Sequence, residues 1–106
     1  LHAVADAMRR CAPPETVVAR YGGEEFACLM PETGLDEAMK VAERMRGAIE
    51  ASEIQVPGSA LINHVTISAG VASAILAIPS DTHVLMRDAD KALYRAKIGG
   101  RNRIRM

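Results

Sequence analysis

Two adjacent glycines, Gly22 and Gly23, separate two short apolar runs at residues 17–21 and 26–30. Because glycine has no Cβ, it adopts positive φ at little steric cost, and a Gly-Gly step permits the tight reversal between antiparallel strands. Pro31 ends the second run, since proline donates no hydrogen bond to a strand ladder. The chain is therefore predicted to contain a β-hairpin with the two glycines at its tip.

Three other stretches repeat apolar residues at the spacing of an amphipathic helix. The first opens the chain and must end before Pro13. The third should end at Gly99 and Gly100, since glycine readily takes the left-handed conformation common just past helix C-termini. The candidate N-caps are Thr33 or Asp36 for the second helix and Ser80 or Asp81 for the third.

The remaining segments predict two further strands. Residues 65–71 alternate Val, Ile and Ala with Thr, Ser and Gly, as a half-buried strand does, and residues 102–106 can form a last short strand. Residues 51–64 are expected to be irregular. The order helix, hairpin, helix, strand, helix, strand indicates an α+β sandwich, in which helices pack on one mainly antiparallel sheet. A length of 106 residues fits a single domain.

Composition argues against several functional classes. Acidic and basic residues balance at 13 each and aromatics make up 3%, which disfavours a nucleic-acid partner. The two cysteines, Cys11 and Cys28, lack metal-ligand spacing, and the three histidines are scattered, so a zinc site is not expected. No apolar stretch approaches the ~20 residues of a membrane span. We expect a cytoplasmic domain, compatible with a membrane anchor upstream.

The candidate chemistry concentrates at the hairpin tip, where Glu24 and Glu25 follow the glycines. Mg²⁺ prefers hard oxygen ligands, usually one or two carboxylates together with substrate phosphates. The bare backbone of Gly22 and Gly23 leaves room for a phosphate to approach. The alternative is that the glycines only make the turn and the glutamates only keep it soluble. The tetrapeptide by itself favours this alternative, because short glycine motifs occur often by chance.

A second candidate cluster lies where the third helix ends, at Lys97 and Arg101. The guanidinium fork of arginine matches phosphate oxygens, so the two cations could hold the terminal phosphates of a nucleotide. Alternatively, Lys97 simply complements the helix dipole at the C-terminus. Spacing alone does not choose between the two interpretations.

Taken together, these segments resemble the GGDEF family of diguanylate cyclases. The resemblance covers essentially the whole chain in four ordered motifs. These are RYGGEEF at 20–26, in the common Glu-for-Asp form, LMPET at 29–33, VTISAGV at 65–71, and ADKALYRAK at 89–97 followed by GRN at 100–102.

The resemblance implies a palm-like α+β fold, similar to nucleotidyl cyclases and ferredoxin-like sandwiches. It implies a domain that condenses two GTP molecules into cyclic di-GMP and two pyrophosphates, with Mg²⁺ or Mn²⁺ as cofactor, at the interface of a homodimer. Glu24 and Glu25 would be the catalytic and metal-binding residues. Gly22 and Gly23 would lie against the nucleotide, and Lys97 and Arg101 would hold its β- and γ-phosphates.

The family's first strand, which carries an aspartate that binds metal, has no counterpart in residues 1–106. We therefore interpret the chain as the C-terminal two-thirds of a GGDEF domain, part of a larger signalling protein with an upstream sensor domain. By itself it is expected to be inactive. The alternative function is a non-catalytic GGDEF module that binds GTP or mediates dimer signalling.

Overall fold

The computed structural model describes residues 2–23, 25–55, 62–75 and 82–106. Three helices and six short strands lie within those ranges. In chain order they are α1 (His2–Cys11), β1 (Val17–Gly22), β2 (Glu25–Leu29), α2 (Leu35–Ala51), β3 (Glu53–Gln55), β4 (Ile62–His64), β5 (Ala69–Gly70), α3 (Thr82–Ile98) and β6 (Ile104–Arg105).

The structure confirms the predicted hairpin. β1 and β2 pair antiparallel, and the register shifts between Arg20 and Gly22, so that Gly22 lies opposite Glu25 at the tip. Gly23 has a φ of 51°, in the left-handed region where a residue with a side chain is strained. The Gly-Gly step therefore makes the reversal, as the sequence predicted.

The larger part of the core forms where α2 packs against α1, with Phe26 and Cys28 of β2 beside it. Val41 and Ile49 of α2 are fully buried, and burial of such side chains stabilises a fold by about 1.5–3 kcal/mol each. Val4, Ala7 and Met8 of α1 and Met45 of α2 complete this cluster. The apolar stripes read from the sequence thus face one another.

α3 packs directly against β5, and small residues make this close approach possible. Ala92 and Ala96 are completely buried on the face of α3. A Cβ added at Gly70 would overlap the backbone of Ala89 and Leu93. β5 in turn pairs parallel with β6, so the end of α3 and the segment that follows it are held against the same strand.

Both candidate N-caps of the second helix are wrong. The N-cap is Gly34, an extended residue without a side-chain capping bond, and the hydroxyl of Thr33 instead donates to the carbonyl of Pro31 at 3.0 Å. Asp36 lies inside the first turn of α2, where its charge complements the helix dipole. The proposed caps of the third helix, Ser80 and Asp81, lie outside the described residues.

Two strand predictions are corrected. Residues 51–64 are not irregular throughout, because β3 and β4 form an antiparallel pair. The strand predicted at 65–71 is reduced to β5, since residues 65–68 pair with no strand in the described ranges, although Val65 and Ile67 still pack against the core. The described strands form three separate pairs, two of them antiparallel. The α+β class is confirmed.

Candidate functional site

The hairpin tip is open to solvent on the side of its glycines. A Cβ at Gly22 or Gly23 would have no atom within 4 Å. The carbonyl of Gly23 accepts two hydrogen bonds from Arg20, at 2.9 Å from Nε and 2.6 Å from Nη2. The guanidinium thus fixes the turn from its own strand, while the bare backbone stays accessible to a ligand.

The structure brings one predicted glutamate together with one predicted phosphate-binding residue. Nζ of Lys97, near the end of α3, lies 3.7 Å from Oε2 of Glu25 at the hairpin tip. Both side chains are partly exposed, at 38% and 46%. Two residues 72 positions apart in the sequence therefore meet in one site. Glu24, the other predicted metal ligand, lies outside the described residues.

The turn that follows α3 has the left-handed backbone that the sequence predicted. The N–H of Gly99 donates to the carbonyl of Arg95 at 2.9 Å, and the N–H of Arg101 donates to Ala96 at 3.0 Å. Gly100 has a φ of 124°, whereas Gly99 is not in the positive region. These bonds satisfy carbonyls that a helix C-terminus would otherwise leave without partners.

Arg101 presents its side chain to solvent from this turn. Neither an ion pair nor a hydrogen bond joins its guanidinium to Glu25, to Lys97 or to any other described residue. Its backbone carbonyl, by contrast, accepts a 2.9 Å hydrogen bond from Nε of Arg103. Of the two predicted phosphate-binding residues, Lys97 is paired and Arg101 is free within the described parts of the chain.

A charged network on α2 was missed by the sequence reasoning. Arg46 donates to both carboxylate oxygens of Glu43, at 2.5 and 2.9 Å, to Glu50 at 3.3 Å, and to Oδ1 of Asn102 at 3.0 Å. The hydrogen bond from Arg46 lowers the pKa of Glu43, and a hydrogen bond from Asn102 lowers that of Glu50. The i, i+3 and i, i+4 spacings on the helix were visible in the sequence. The contact with Asn102 was not.

The donor chemistry of the tip suits a hard divalent cation. Glu25 offers carboxylate oxygens at the surface, and its sequence neighbour Glu24 carries a second carboxylate. Among the described residues no three His, Cys, Asp or Glu side chains form a metal-binding group. Mg²⁺ is commonly held by one or two carboxylates together with phosphate oxygens, and the tip offers carboxylates of this kind.

Within the described residues, neither the thiol of Cys28 nor a membrane-spanning helix offers an alternative site. Cys28 is half-buried, and burial raises the pKa of its thiol, so little thiolate forms at neutral pH. In the ranges that the structure covers, no helix is both long and apolar enough to span a bilayer.

Comparison with known proteins identifies the family of the chain. The family model described as "Diguanylate cyclase, GGDEF domain" matches residues 1–103. The chain belongs to the GGDEF family. It is 41% identical over 104 residues to Diguanylate cyclase A of Treponema denticola, and 42% identical over 85 residues to the response regulator PleD of Caulobacter vibrioides. These matches cover 98% and 80% of this chain.

Solved GGDEF structures share the fold. The active GGEEF domain of a diguanylate cyclase from Vibrio cholerae superposes with a TM-score of 0.82 at 30% identity, covering 97% of this chain and 63% of that one. The GGDEF domain of DgcB from Caulobacter crescentus, solved in complex with c-di-GMP, gives 0.80 at 32%, covering 96% and 59%. The palm-like α+β fold expected from the resemblance is thus confirmed.

The chain is much shorter than the curated relatives. It spans 27% of Diguanylate cyclase A and 18% of PleD. The family and its association with c-di-GMP signalling are established by these matches.

Proposed function

We propose that this chain is part of the catalytic domain of a diguanylate cyclase, which condenses two GTP molecules into cyclic di-GMP and two pyrophosphates at a dimer interface within a larger signalling protein. The observation that carries the proposal is the 3.7 Å contact between Glu25 and Lys97. It joins a metal-ligand type of side chain to a phosphate-binding type across an open Gly-Gly turn. A nucleoside triphosphate with its bound cation offers a positive charge to the carboxylate of Glu25 and negative charges to the ammonium of Lys97.

The phosphates would be held from the end of α3. Lys97 and Arg101 are four residues apart, on either side of the glycine turn, and both are at least partly exposed. Their positive charges would contact the β- and γ-phosphates. Gly22 and Gly23 would lie against the ribose and phosphates, because no side chain fills the space beside them. Positioning and charge stabilisation would supply most of the rate enhancement.

Glu24 and Glu25 would hold Mg²⁺ or Mn²⁺, which when bound neutralises charge that develops on the transferred phosphoryl group. Lys97 is the ion-pair partner of Glu25 in the structure, and nucleotide binding would exchange this partner for the phosphates. Glu24 would also accept the proton of the attacking ribose 3′-hydroxyl, a general-base role that requires hydrogen-bond reach.

Each of two domains would supply one GTP to the reaction. The 3′-oxygen of one ribose would form a bond to the α-phosphorus of the other nucleotide, and the bond from that phosphorus to the β-phosphate oxygen would break. Pyrophosphate would leave, and a second such step would close the ring. An upstream sensor domain would control the meeting of the two domains.

The test is product formation by the full-length protein that carries this chain, supplied with GTP and Mg²⁺. We expect cyclic di-GMP and pyrophosphate from the wild-type protein and none from Glu24→Ala. Glu37→Gln, an exposed carboxylate on α2, is the matched control and should retain activity. GTP binding without any product would contradict the cyclase assignment and support the non-catalytic GGDEF module instead.

A further inference from the structure

The turn after α3 contains an unusual run of backbone conformations. Gly100, Arg101 and Asn102 all have positive φ, at 124°, 61° and 44°. The left-handed conformation costs a residue with a Cβ on the order of 1 kcal/mol. Two such residues in succession persist only where the surroundings fix them. The contacts of Arg101 and Asn102 should therefore show what holds the turn.

Asn102 makes the hydrogen bonds that hold the turn. Its backbone N–H donates to Oγ of Ser68 at 3.1 Å. Its side-chain Oδ1 accepts from Nη1 of Arg46 at 3.0 Å, and its Nδ2 donates to Oε2 of Glu50. Asparagine tolerates the left-handed region better than most residues, and here both ends of its amide are also engaged. The turn is thereby tied to α2 and to the segment before β5.

Arg46 is itself held rigidly. Its side chain is only 19% exposed, and its guanidinium contacts Glu43, Glu50 and Asn102 together. A planar guanidinium that already has several acceptors loses little further conformational entropy when it gains one more partner. Arg46 and Glu50 thus present Asn102 with a preformed donor and acceptor.

Arg101 contrasts with its neighbour. Its backbone N–H and carbonyl are both bonded, to Ala96 and Arg103, while its guanidinium is exposed and has no partner among the described residues. A hydrogen-bonded backbone combined with an exposed, unpaired guanidinium is the arrangement expected of a side chain that binds a ligand. A fixed backbone limits the positions that the guanidinium can reach, which lowers the entropic cost of binding.

We propose that Arg46 and Glu50 are positioning residues for Arg101. They hold Asn102, which keeps the left-handed turn formed and directs the guanidinium of Arg101 toward the terminal phosphates of the nucleotide. This inference rests on the proposed function, because Arg101 needs a phosphate to meet. In this proposal Arg46 and Glu50 do not touch the nucleotide, and their effect on binding passes through Arg101.

The test compares two ligands on the full-length protein by calorimetry, with Mg²⁺ present: a GTP analogue with a non-cleavable α–β bond, and GMP. Arg46→Met should lower the affinity for the analogue about tenfold, which lies within the range of measured coupling energies between neighbouring residues. GMP, which lacks the β- and γ-phosphates, should bind as before. In an Arg101→Ala background, Arg46→Met should cause no further loss.

Two other variants make this result specific. Glu50→Gln removes the charge but keeps the size of the side chain, and should reproduce part of the loss even if Arg46→Met fails to fold. Glu37→Gln, on the same helix, disturbs only a 4.0 Å contact with Arg44 and should change neither affinity.

The outcomes separate this inference from the proposed function. Equal losses for GMP and the analogue, or a further loss in the Arg101→Ala background, would show general damage to the fold and overturn the positioning role. If Arg101→Ala weakens the analogue but Arg46→Met and Glu50→Gln do not, the positioning role alone is lost. If the wild-type protein binds no analogue, the proposed function itself fails.

Discussion

The two glycine turns of the candidate site are built in opposite ways. At the hairpin tip, nothing lies within 4 Å of the Cβ positions of Gly22 and Gly23, and one strand residue, Arg20, holds the turn. After α3, a Cβ at Gly100 would lie 2.5 Å from Nη2 of Arg103. The hairpin tip is held by one residue, whereas the turn after α3 is fixed by several contacts, although Gly99, Gly100 and Arg101 are exposed.

The difference indicates that one turn is rigid and the other is less constrained. The turn after α3 is fixed by contacts with α2 and with Ser68, which precedes β5, so its backbone is held in place. The hairpin tip is held by fewer contacts, and under the proposed function it would adjust to the nucleotide and its cation. Catalysis by positioning requires at least one rigid partner. The contact between Glu25 and Lys97 joins the rigid part to the adjustable one.

The largest expected effect is the difference between alanine substitutions at the two turns, one of which should lower stability and the other activity. Gly100→Ala places a side chain at a φ of 124°, and should lower the free energy of unfolding by about 2 kcal/mol. Gly22→Ala, at an open position without positive φ, should cost less than about 0.5 kcal/mol and yet impair GTP turnover. Denaturant unfolding and a turnover assay on the same proteins measure both quantities. Equal stability losses at the two glycines would remove the contrast.

A smaller effect is expected where the open tip is held. Arg20→Met removes both hydrogen bonds to the carbonyl of Gly23, a net loss of about 1 kcal/mol. Amide hydrogens of the hairpin should then exchange about fivefold faster while those of α2 are unchanged. Arg9→Met, which removes an exposed 3.4 Å contact with Asp6, is the control. Unchanged exchange in the hairpin would show that the tip is held by its glycines alone.

The smallest effect is the pH dependence of the network that holds the turn after α3. Contact with Asn102 and Arg46 lowers the pKa of Glu50 from its ordinary 4.5. A lowered pKa stabilises the folded state above the ordinary value, and this contribution disappears as the pH falls through the folded pKa. The difference in melting temperature between wild type and Glu50→Gln should therefore be constant from about pH 8 to pH 5 and shrink below pH 4.5. A difference in melting temperature that stays constant down to strongly acidic pH would contradict a lowered pKa of Glu50 in the folded state.

The sequence predicted the elements that local chemistry determines. The Gly-Gly step gave the hairpin, Pro13 gave the end of α1, and Gly99-Gly100 gave the end of α3, because each acts within a few residues. The helix cap at Gly34 was missed since it uses no side chain. The pair β3–β4 was missed because its strands have only three residues each, too few for an alternating pattern.

The site was predictable as a set of residues but not as an arrangement. The motif at 20–26 and the cations at 97 and 101 were identified from the sequence. That Lys97 meets Glu25 depends on the packing of α3 against β5 at Gly70, which no local pattern encodes. The bond from Arg46 to Asn102 likewise joins residues 56 positions apart.

The most direct measurement is the affinity of the full-length Lys97→Ala protein for GTP and for GMP, with Mg²⁺ present. Lys97 and Glu25 are partly exposed, so their ion pair contributes little to folding, less than about 1 kcal/mol. If the end of α3 holds the terminal phosphates beside the hairpin tip, GTP should bind at least about tenfold more weakly and GMP should bind as before. Unchanged GTP affinity would contradict a nucleotide site at this meeting of the two turns.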